Sequence, residues 1–181
     1  MKVTVVTSNP HKAEEVAEFF SGIADVEHIP LECPEIRHED VREVAAAKAE
    51  YAFSVLQRPV VVDDTAFFIR ALGGFPGTCA AYVFKTIGNE GILRLLEGNP
   101  ERSAHFETAV AFADGREPLV FSGRMDGVIV NPRGSGGFGY DPIFEWKGKT
   151  LAELGLPEKS RVSHRALALA SLRSYLGTCR S

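Results

Sequence analysis

The sequence predicts an α/β protein with a mixed sheet, and two patterns carry that prediction. Residues 60–62 are three valines after the breaker Pro59, a run typical of a strand buried on both faces of a parallel or mixed sheet. Residues 104–113 instead alternate, and the Asp-Gly pair at 114–115 is a hairpin signal leading into residues 119–130. Antiparallel strands are therefore expected beside parallel ones in one sheet.

Composition limits the class of protein. The chain has 181 residues, 45% hydrophobic and 24% charged, with a formal net charge of -4. These values are those of an ordinary globular protein, and we expect residues 1–181 to form a single domain. A net negative charge argues against a nucleic-acid partner, since the phosphate backbone calls for a basic face. Any affinity for anions must then come from a local cluster.

Cysteine content and hydropathy predict a cytoplasmic location. Cys33, Cys79 and Cys179 are too few and too scattered for a disulfide framework or a zinc site, and an odd number fits a reducing compartment. The N-terminal segment is too short for a signal peptide, and no apolar run approaches membrane length. We expect a soluble protein with no membrane partner.

The first strand, residues 2–7, leads directly into a helix. Asn9 is a good N-cap and Pro10 suits the first helical position. Free backbone N–H groups make such a helix start an anion site, to which Ser8, Asn9 and Lys12 add polar donors and one positive charge. An ordinary capped helix with a surface lysine remains the alternative.

A second helix is predicted at residues 41–57, after a strand near 26–30 and a charged connection at 34–40. Lys48 falls in the middle of its apolar stripe. The stripe consists of Val41, Val44, Ala45, Ala52 and Val55. A lysine there either reaches past the core edge to water or meets an anion held between helix and sheet.

Two adjacent carboxylates, Asp63 and Asp64, follow the valine run, and Thr65 comes next. Unpaired buried ions cost several kcal/mol each, so we expect the strand to end here and open on a site. Neighbours on an extended chain point to opposite faces, so at most one carboxylate need face a given cavity. A strand-end turn or an N-cap is the alternative. Residues 66–72 fit either a helix or a strand.

A glycine-rich loop at residues 134–139 has the spacing of a dinucleotide fingerprint, but Tyr140, Asp141 and Pro142 stop the helix that this motif must open. The loop presents Phe138, Tyr140 and Asp141, which suit stacking on a base and hydrogen bonding to its edge. A plain hairpin loop is the alternative. Residues 80–87 and 89–96 are predicted to be helical, and the turn-rich segment 73–78 is a candidate cavity wall.

A basic run precedes and enters the last helix, with Ser163 as its expected N-cap. The run contains Lys159, Arg161, His164 and Arg165. Cations at a helix N-terminus are disfavoured by a few tenths to about 1 kcal/mol each, so a function is expected to compensate them. A solvated basic turn is the alternative.

Four stretches together resemble one family, the inosine triphosphate pyrophosphatases, which hydrolyse non-standard purine nucleoside triphosphates. They are Thr-Ser-Asn-Pro-His-Lys at 7–12, Val-Asp-Asp-Thr at 62–65, Phe-Gly-Tyr-Asp at 138–141 and Ser-His-Arg at 163–165. Residues 34–35, 48, 74–77 and 159 also fit, so the resemblance covers nearly the whole chain. Each motif alone is weak, but the set is specific.

The resemblance implies an α/β fold with a long mixed central sheet flanked by helices, in two lobes with the active-site cleft between them. It also implies a homodimer and Mg2+-dependent cleavage between the α and β phosphorus atoms of ITP, dITP or XTP, releasing pyrophosphate and the monophosphate. Asp64 would activate water and bind metal with Glu35, whereas the role of Asp63 is left open.

Substrate-binding positions follow from the same resemblance. The triphosphate would contact Thr7, Ser8, Asn9, Lys12, Lys48 and Thr65, and the base would contact Phe138, Gly139, Tyr140, Asp141, Lys159, His164 and Arg165. The Pro-His pair at 10–11 departs from the family pattern, so His11 is not assigned. A carbonyl in place of the adenine amine would suit donors such as Arg165 and His164.

Two other functions remain open at this point. An aspartyl-phosphate phosphatase also uses carboxylates after a hydrophobic strand, but its Asp-x-Asp spacing is absent here because Asp63 and Asp64 adjoin. A nucleotide-sensing module would bind the same ligands without turnover.

Overall fold

The computed structural model describes residues 2–178, and Cys179 lies outside the described residues. Within them the chain forms one sheet of eight strands and five α-helices. The strands are β1 (Lys2–Val6), β2 (Asp25–Ile29), β3 (Val60–Ile69), β4 (Pro76–Gly77), β5 (Ser103–Ala113), β6 (Leu119–Ile129), β7 (Phe144–Trp146) and β8 (Lys149–Thr150). The helices are α1 (Pro10–Phe19), α2 (Val41–Leu56), α3 (Ala80–Leu95), α4 (Leu156–Val162) and α5 (His164–Thr178).

The sheet is mixed, as predicted, and the strands run in the order β2-β1-β3-β5-β6-β7-β8. β1 pairs in parallel with β2 and β3, whereas β5, β6, β7 and β8 join by antiparallel ladders and β4 pairs with β3. The long central sheet and the flanking helices are confirmed. The two-lobed division with a cleft stays a prediction. No helix among residues 2–178 has the length and apolar content needed to cross a bilayer.

Helices cover both faces of the sheet. Val61 of β3 packs with apolar residues of α1 and α5 on one face, and Val60 and Val62 pack with α2 on the other. The apolar stripe predicted for α2 is correct except at Val55, which is exposed. Ala49 is buried in that helix instead, because the buried face follows the line of Ala45, Ala49 and Ala52.

Strand β3 does not end at Thr65, so the predicted strand end is wrong. Its parallel pairing with β1 stops at Val62, but its antiparallel pairing with β5 continues to Ile69. The carboxylates therefore lie in mid-strand, where the neighbouring strand β1 has finished. This early end of β1 opens the sheet beside Asp63 and Asp64.

Two helical segments are placed more finely than the sequence allowed. Helix α3 is interrupted at Gly88, whose φ of 61° is non-helical, in agreement with the two helical segments predicted there. Helix α4 was not predicted. It places Lys159 in its own last turn, where cations are favoured, and Lys159 lies ahead of the last helix as predicted.

Candidate functional site

One cavity of about 970 Å³ opens where β1 ends. Its wall combines the β1–α1 junction, the connection after β2, the middle of α2, mid-strand β3 and the first turns of α3. The glycine-rich loop, the end of α4 and the start of α5 complete it. All residues assigned from the sequence to catalysis, substrate or metal line it: Thr7, Ser8, Asn9, Lys12, Glu35, Lys48, Asp64, Thr65, Phe138, Gly139, Tyr140, Asp141, Lys159, His164 and Arg165. Their convergence is confirmed, and their roles stay predictions.

Lys48 meets anions between helix and sheet, which was the second of its two expected outcomes. Its Nζ donates to Glu35 Oε1 over 2.5 Å and to Asp64 Oδ2 over 2.9 Å. Burial alone would lower the pKa of Lys48, but the charges and hydrogen bonds of the two carboxylates raise it above its ordinary value. Asp64 is fixed further because its Oδ1 accepts from Thr65 N over 2.8 Å.

Asp63 points to the opposite face of β3 from Asp64, as strand geometry requires. Its Oδ2 lies 3.2 Å from Lys12 Nζ and accepts from Arg165 Nε over 3.0 Å. Burial alone would raise the pKa of Asp63, but the charges of Lys12 and Arg165 hold it far below its ordinary value. Both carboxylates nevertheless line the cavity, because it reaches around the end of β1 to both faces.

Glu15 of α1, which was not predicted from the sequence, supports two of the residues that line the cavity. Its carboxylate accepts from Arg165 Nη1 and lies 2.6 Å from Lys159 Nζ, and all three side chains are buried. Burial alone would raise the pKa of Glu15, but the charges of Arg165 and Lys159 lower it. A signal existed in the sequence, because Glu15 follows Lys12 by three residues and shares its helix face.

These contacts join into an alternating chain, which we call the six-residue ion network. It runs Lys12, Asp63, Arg165, Glu15, Lys159, Asp141, and its last contact is 2.5 Å between Lys159 Nζ and Asp141 Oδ2. The network ties α1, β3, the glycine-rich loop, α4 and α5 together. A solvated basic turn at residues 159–165 is thereby ruled out for Lys159 and Arg165, although Arg161 is exposed.

The start of α1 is capped as predicted. Asn9 Oδ1 accepts from His11 N over 3.0 Å, Pro10 occupies the first turn, and Thr7 Oγ1 accepts from Asn9 N over 3.2 Å. Lys12 reaches back across the cavity edge to Asp63, so the helix start and the carboxylates of β3 share one wall.

The glycine-rich loop is braced by Asp141. Its Oδ2 accepts from Phe138 N over 2.7 Å, and a Cβ on Gly137 would lie only 2.1 Å from that oxygen. The close approach and a φ of +68° both require glycine at position 137. Phe138 is held by a stack on His11, with ring centroids 5.2 Å apart. His11, left unassigned from the sequence, therefore also lines the cavity.

Tyr140 is more buried than a base-stacking residue would need to be. Its ring packs on Phe67 with centroids 4.6 Å apart, and its hydroxyl donates to Ala80 O over 2.9 Å. Burial raises the pKa of Tyr140. These contacts anchor the glycine-rich loop to β3 and α3, and a direct contact with substrate stays a prediction.

His164 and Arg165 open helix α5, and Ser163 Oγ accepts from Ala166 N over 3.2 Å as the predicted cap. Burial lowers the pKa of His164 well below its ordinary value, and the charges of Arg165 and Lys159 lower it further. His164 is therefore neutral near pH 7. The helix start lies so close to β6 that a Cβ on Gly123 would be only 2.1 Å from His164 O.

The residues around Lys48 fit a divalent metal. Glu35 and Asp64 already converge on one ammonium, and together the three side chains carry one negative charge in excess. Glu35 is 65% exposed, so its carboxylate has room to move toward a ligand. Residues 2–178 contain no cluster of three or more His, Cys, Asp and Glu side chains arranged for a metal, but Mg2+ commonly uses one or two carboxylates with phosphate oxygens.

Comparisons with known proteins return one consistent group. The sequence model of the Ham1 family matches residues 3–175. A dITP/XTP pyrophosphatase of Thermococcus kodakarensis is 44% identical over 180 residues and 97% of both chains, and one of Methanopyrus kandleri is 47% identical over 175 residues and 93% of both. The solved Ham1 protein of Staphylococcus aureus superposes with a TM-score of 0.83 at 29% identity, covering 98% of this chain and 99% of the other.

Proposed function

Because this chain belongs to the Ham1 family, we propose that it hydrolyses non-standard purine nucleoside triphosphates, namely ITP, dITP and XTP, to the monophosphate and pyrophosphate. This activity would remove such nucleotides from the cellular pool. The strongest support in the structure is the placement of Lys48 between Glu35 and Asp64. This placement brings a cation suited to binding phosphate and two carboxylates suited to binding a metal together in one cavity wall.

Asp64 is the proposed catalytic carboxylate. It is 15% exposed, and one oxygen is fixed by Thr65 N while the other accepts from Lys48. A carboxylate held in this way is suited to orient a water molecule and to accept its proton as the water attacks the phosphorus atom. Asp63 is 2% exposed and its Oδ2 contacts both Lys12 and Arg165, so we assign it to holding those cations in place.

Lys12 and Lys48 are the proposed triphosphate contacts, together with Thr7, Ser8, Asn9 and Thr65. Lys12 is partly exposed and its contacts to Asp63, at 3.2 Å and 3.3 Å, are long for a charged donor. It therefore has donors to offer a phosphate. Positive groups fixed in this way stabilise the charge that builds up on the phosphate oxygens during cleavage.

Mg2+ is the proposed cofactor, with Glu35 and Asp64 as its protein ligands. When bound, it would supply a Lewis acid that neutralises phosphate charge. The two carboxylates carry one more charge than Lys48 neutralises, and this excess negative charge favours binding of a divalent cation.

The base is proposed to lie against the glycine-rich loop and the start of α5. Phe138, Gly139, Tyr140, Asp141 and Lys159 would surround it, with His164 and Arg165 at its edge. Donors at that edge suit the carbonyl of hypoxanthine or xanthine, whereas the amine of adenine would leave them unpaired. We also propose that the protein acts as a homodimer in the cytoplasm on free nucleotides, without a nucleic-acid or membrane partner.

The deciding experiment measures pyrophosphate released from ITP, dITP, XTP, ATP and GTP by the purified protein with Mg2+. We expect release from the first three and a loss of at least about 100-fold in Asp64→Asn. Absence of release from ITP and XTP would overturn the proposal. Binding that persists with no turnover in the wild type would favour a nucleotide sensor, and a trapped phosphorylated aspartate would favour the aspartyl-phosphate phosphatase.

A further inference from the structure

Two threonine hydroxyls form a bridge between Arg165 and His164. Thr65 and Thr108 face each other across the β3–β5 ladder, with 2.7 Å between their Oγ1 atoms. Arg165 Nη2 donates to Thr65 Oγ1 over 3.2 Å, and Thr108 Oγ1 lies 2.6 Å from His164 Nδ1. Thr108 is fully buried and is not among the residues assigned from the sequence.

The direction of the hydrogen bonds follows from what each group can do. A guanidinium only donates, so Thr65 Oγ1 accepts from Arg165. If Thr65 then donates to Thr108, and Thr108 donates to His164 Nδ1, neither hydroxyl proton lacks an acceptor. In the reverse direction, Thr65 Oγ1 accepts from both Thr108 and Arg165, and the hydroxyl proton of Thr65 has no acceptor within the bridge.

The first direction fixes the state of the imidazole. With Nδ1 accepting from Thr108, a neutral His164 carries its proton on Nε2. The ring itself is held by a stack on Phe106, with centroids 4.7 Å apart, and both residues line the cavity. His164 then offers a donor to a ligand through the nitrogen that Thr108 does not occupy.

We propose that Thr108 is a positioning residue for base selection, which holds His164 in the Nε2-protonated tautomer so that it donates to a purine carbonyl and not to an amine. The inference rests on the proposed function, because it names the ligand that this donor selects. Thr108 suits the task because its β-branched side chain has few rotamers in a strand, so its hydroxyl is held in one direction.

The tautomer can be tested without substrate. Heteronuclear NMR of the histidine ring nitrogens distinguishes the two neutral forms, and His164→Gln identifies the signal by its loss. We expect an Nε2-protonated ring in the wild type and in Thr108→Ser, which keeps the hydroxyl, and a mixture of tautomers in the near-isosteric Thr108→Val. An Nδ1-protonated ring in the wild type, or an unchanged ring in Thr108→Val, would overturn the proposal.

Selectivity is the second readout. We expect the ratio of kcat/KM for XTP to that for ATP to fall by about tenfold in Thr108→Val, the equivalent of one lost hydrogen bond, and to recover in Thr108→Ser. A changed tautomer with an unchanged ratio would refute the role in base selection. A wild type that releases no pyrophosphate from any triphosphate would instead refute the proposed function, and the tautomer would still report on Thr108.

Discussion

Arg165 Nε donates to Asp63 Oδ2 over 3.0 Å, joining the first turn of the last helix to strand β3. Both side chains are 2% exposed. A charge buried this deeply depends on its partner, because an unpaired ion in the interior costs several kcal/mol. The same contact also compensates the positive charge of Arg165 at the start of α5. A tertiary contact thus stabilises a cation at a helix N-terminus, where the helix dipole disfavours it.

Asp63→Asn and Asp64→Asn are expected to separate stability from turnover. The first change removes the buried carboxylate that pairs with Lys12 and one of the two that pair with Arg165, so we expect the free energy of unfolding to fall by about 3 kcal/mol. The second leaves Lys48 paired with Glu35, and we expect a loss within about 1 kcal/mol but a loss of hydrolysis. Urea unfolding and pyrophosphate release measure the two effects. Equal destabilisation by both variants would contradict the assignment of different roles.

Glu15→Gln is expected to destabilise the fold by about 3 kcal/mol, because Arg165 and Lys159 would each lose a buried anionic partner. Glu14→Gln is the matched control, since Glu14 is the preceding residue in the same helix but is 63% exposed. We expect the control to lie within about 0.5 kcal/mol of wild type in urea unfolding. A Glu15 variant as stable as the control would show that the network is not a structural requirement.

Stability is expected to fall as the pH drops from 7 toward 5. The pKa of His164 is lowered in the folded protein from an ordinary value of 6.5, so on acidification the unfolded chain takes up a proton before the folded one does. The free energy of unfolding then declines by up to about 1.4 kcal/mol per pH unit below the ordinary value. His164→Gln should reduce this dependence in urea titrations, and a wild-type slope in that variant would contradict the prediction.

Gly137→Ala is expected to raise KM for XTP by about tenfold. A methyl group there displaces Asp141 Oδ2 and breaks its hydrogen bond to Phe138 N, a charged hydrogen bond worth about 1.5 kcal/mol. Gly22→Ala is the control, since Gly22 has a similar φ of +70° but lies outside the cavity lining and has nothing within 4 Å of the added Cβ. Steady-state kinetics with both variants would isolate the contact from backbone strain. An equal KM for the two would contradict the brace.

Much of the fold could be predicted from local patterns. The cap at Asn9, the hairpin after residue 113 and the interruption at Gly88 each depend on neighbouring residues alone, and each is present. The length of β3 was not predictable in this way, because it depends on β5 continuing where β1 stops. Helix α4 was not predicted because its seven residues are too few to show a clear helical period of apolar residues.

Many residues that line the cavity could be predicted from the sequence, but the hydrogen bonds and ion pairs between them could not. Motif order indicated that Asp64, Lys12 and Arg165 belong together, and they line one cavity. Thr108 gave no local signal, since a threonine in a strand is ordinary and its meaning comes only from His164 across 56 positions of chain. Glu15 did give a signal through its spacing from Lys12, but pairing with Arg165 depends on the tertiary fold.

The six-residue ion network has a consequence for the form in which a nucleotide can enter. Its three cations are each matched by an acid, so the network itself offers no surplus of positive charge to a bare triphosphate. A free tetra-anion would compete with Asp63 for Lys12, whereas a nucleotide already complexed with a divalent ion arrives with half of its charge cancelled. We therefore expect the network to favour the metal-complexed nucleotide over the free one.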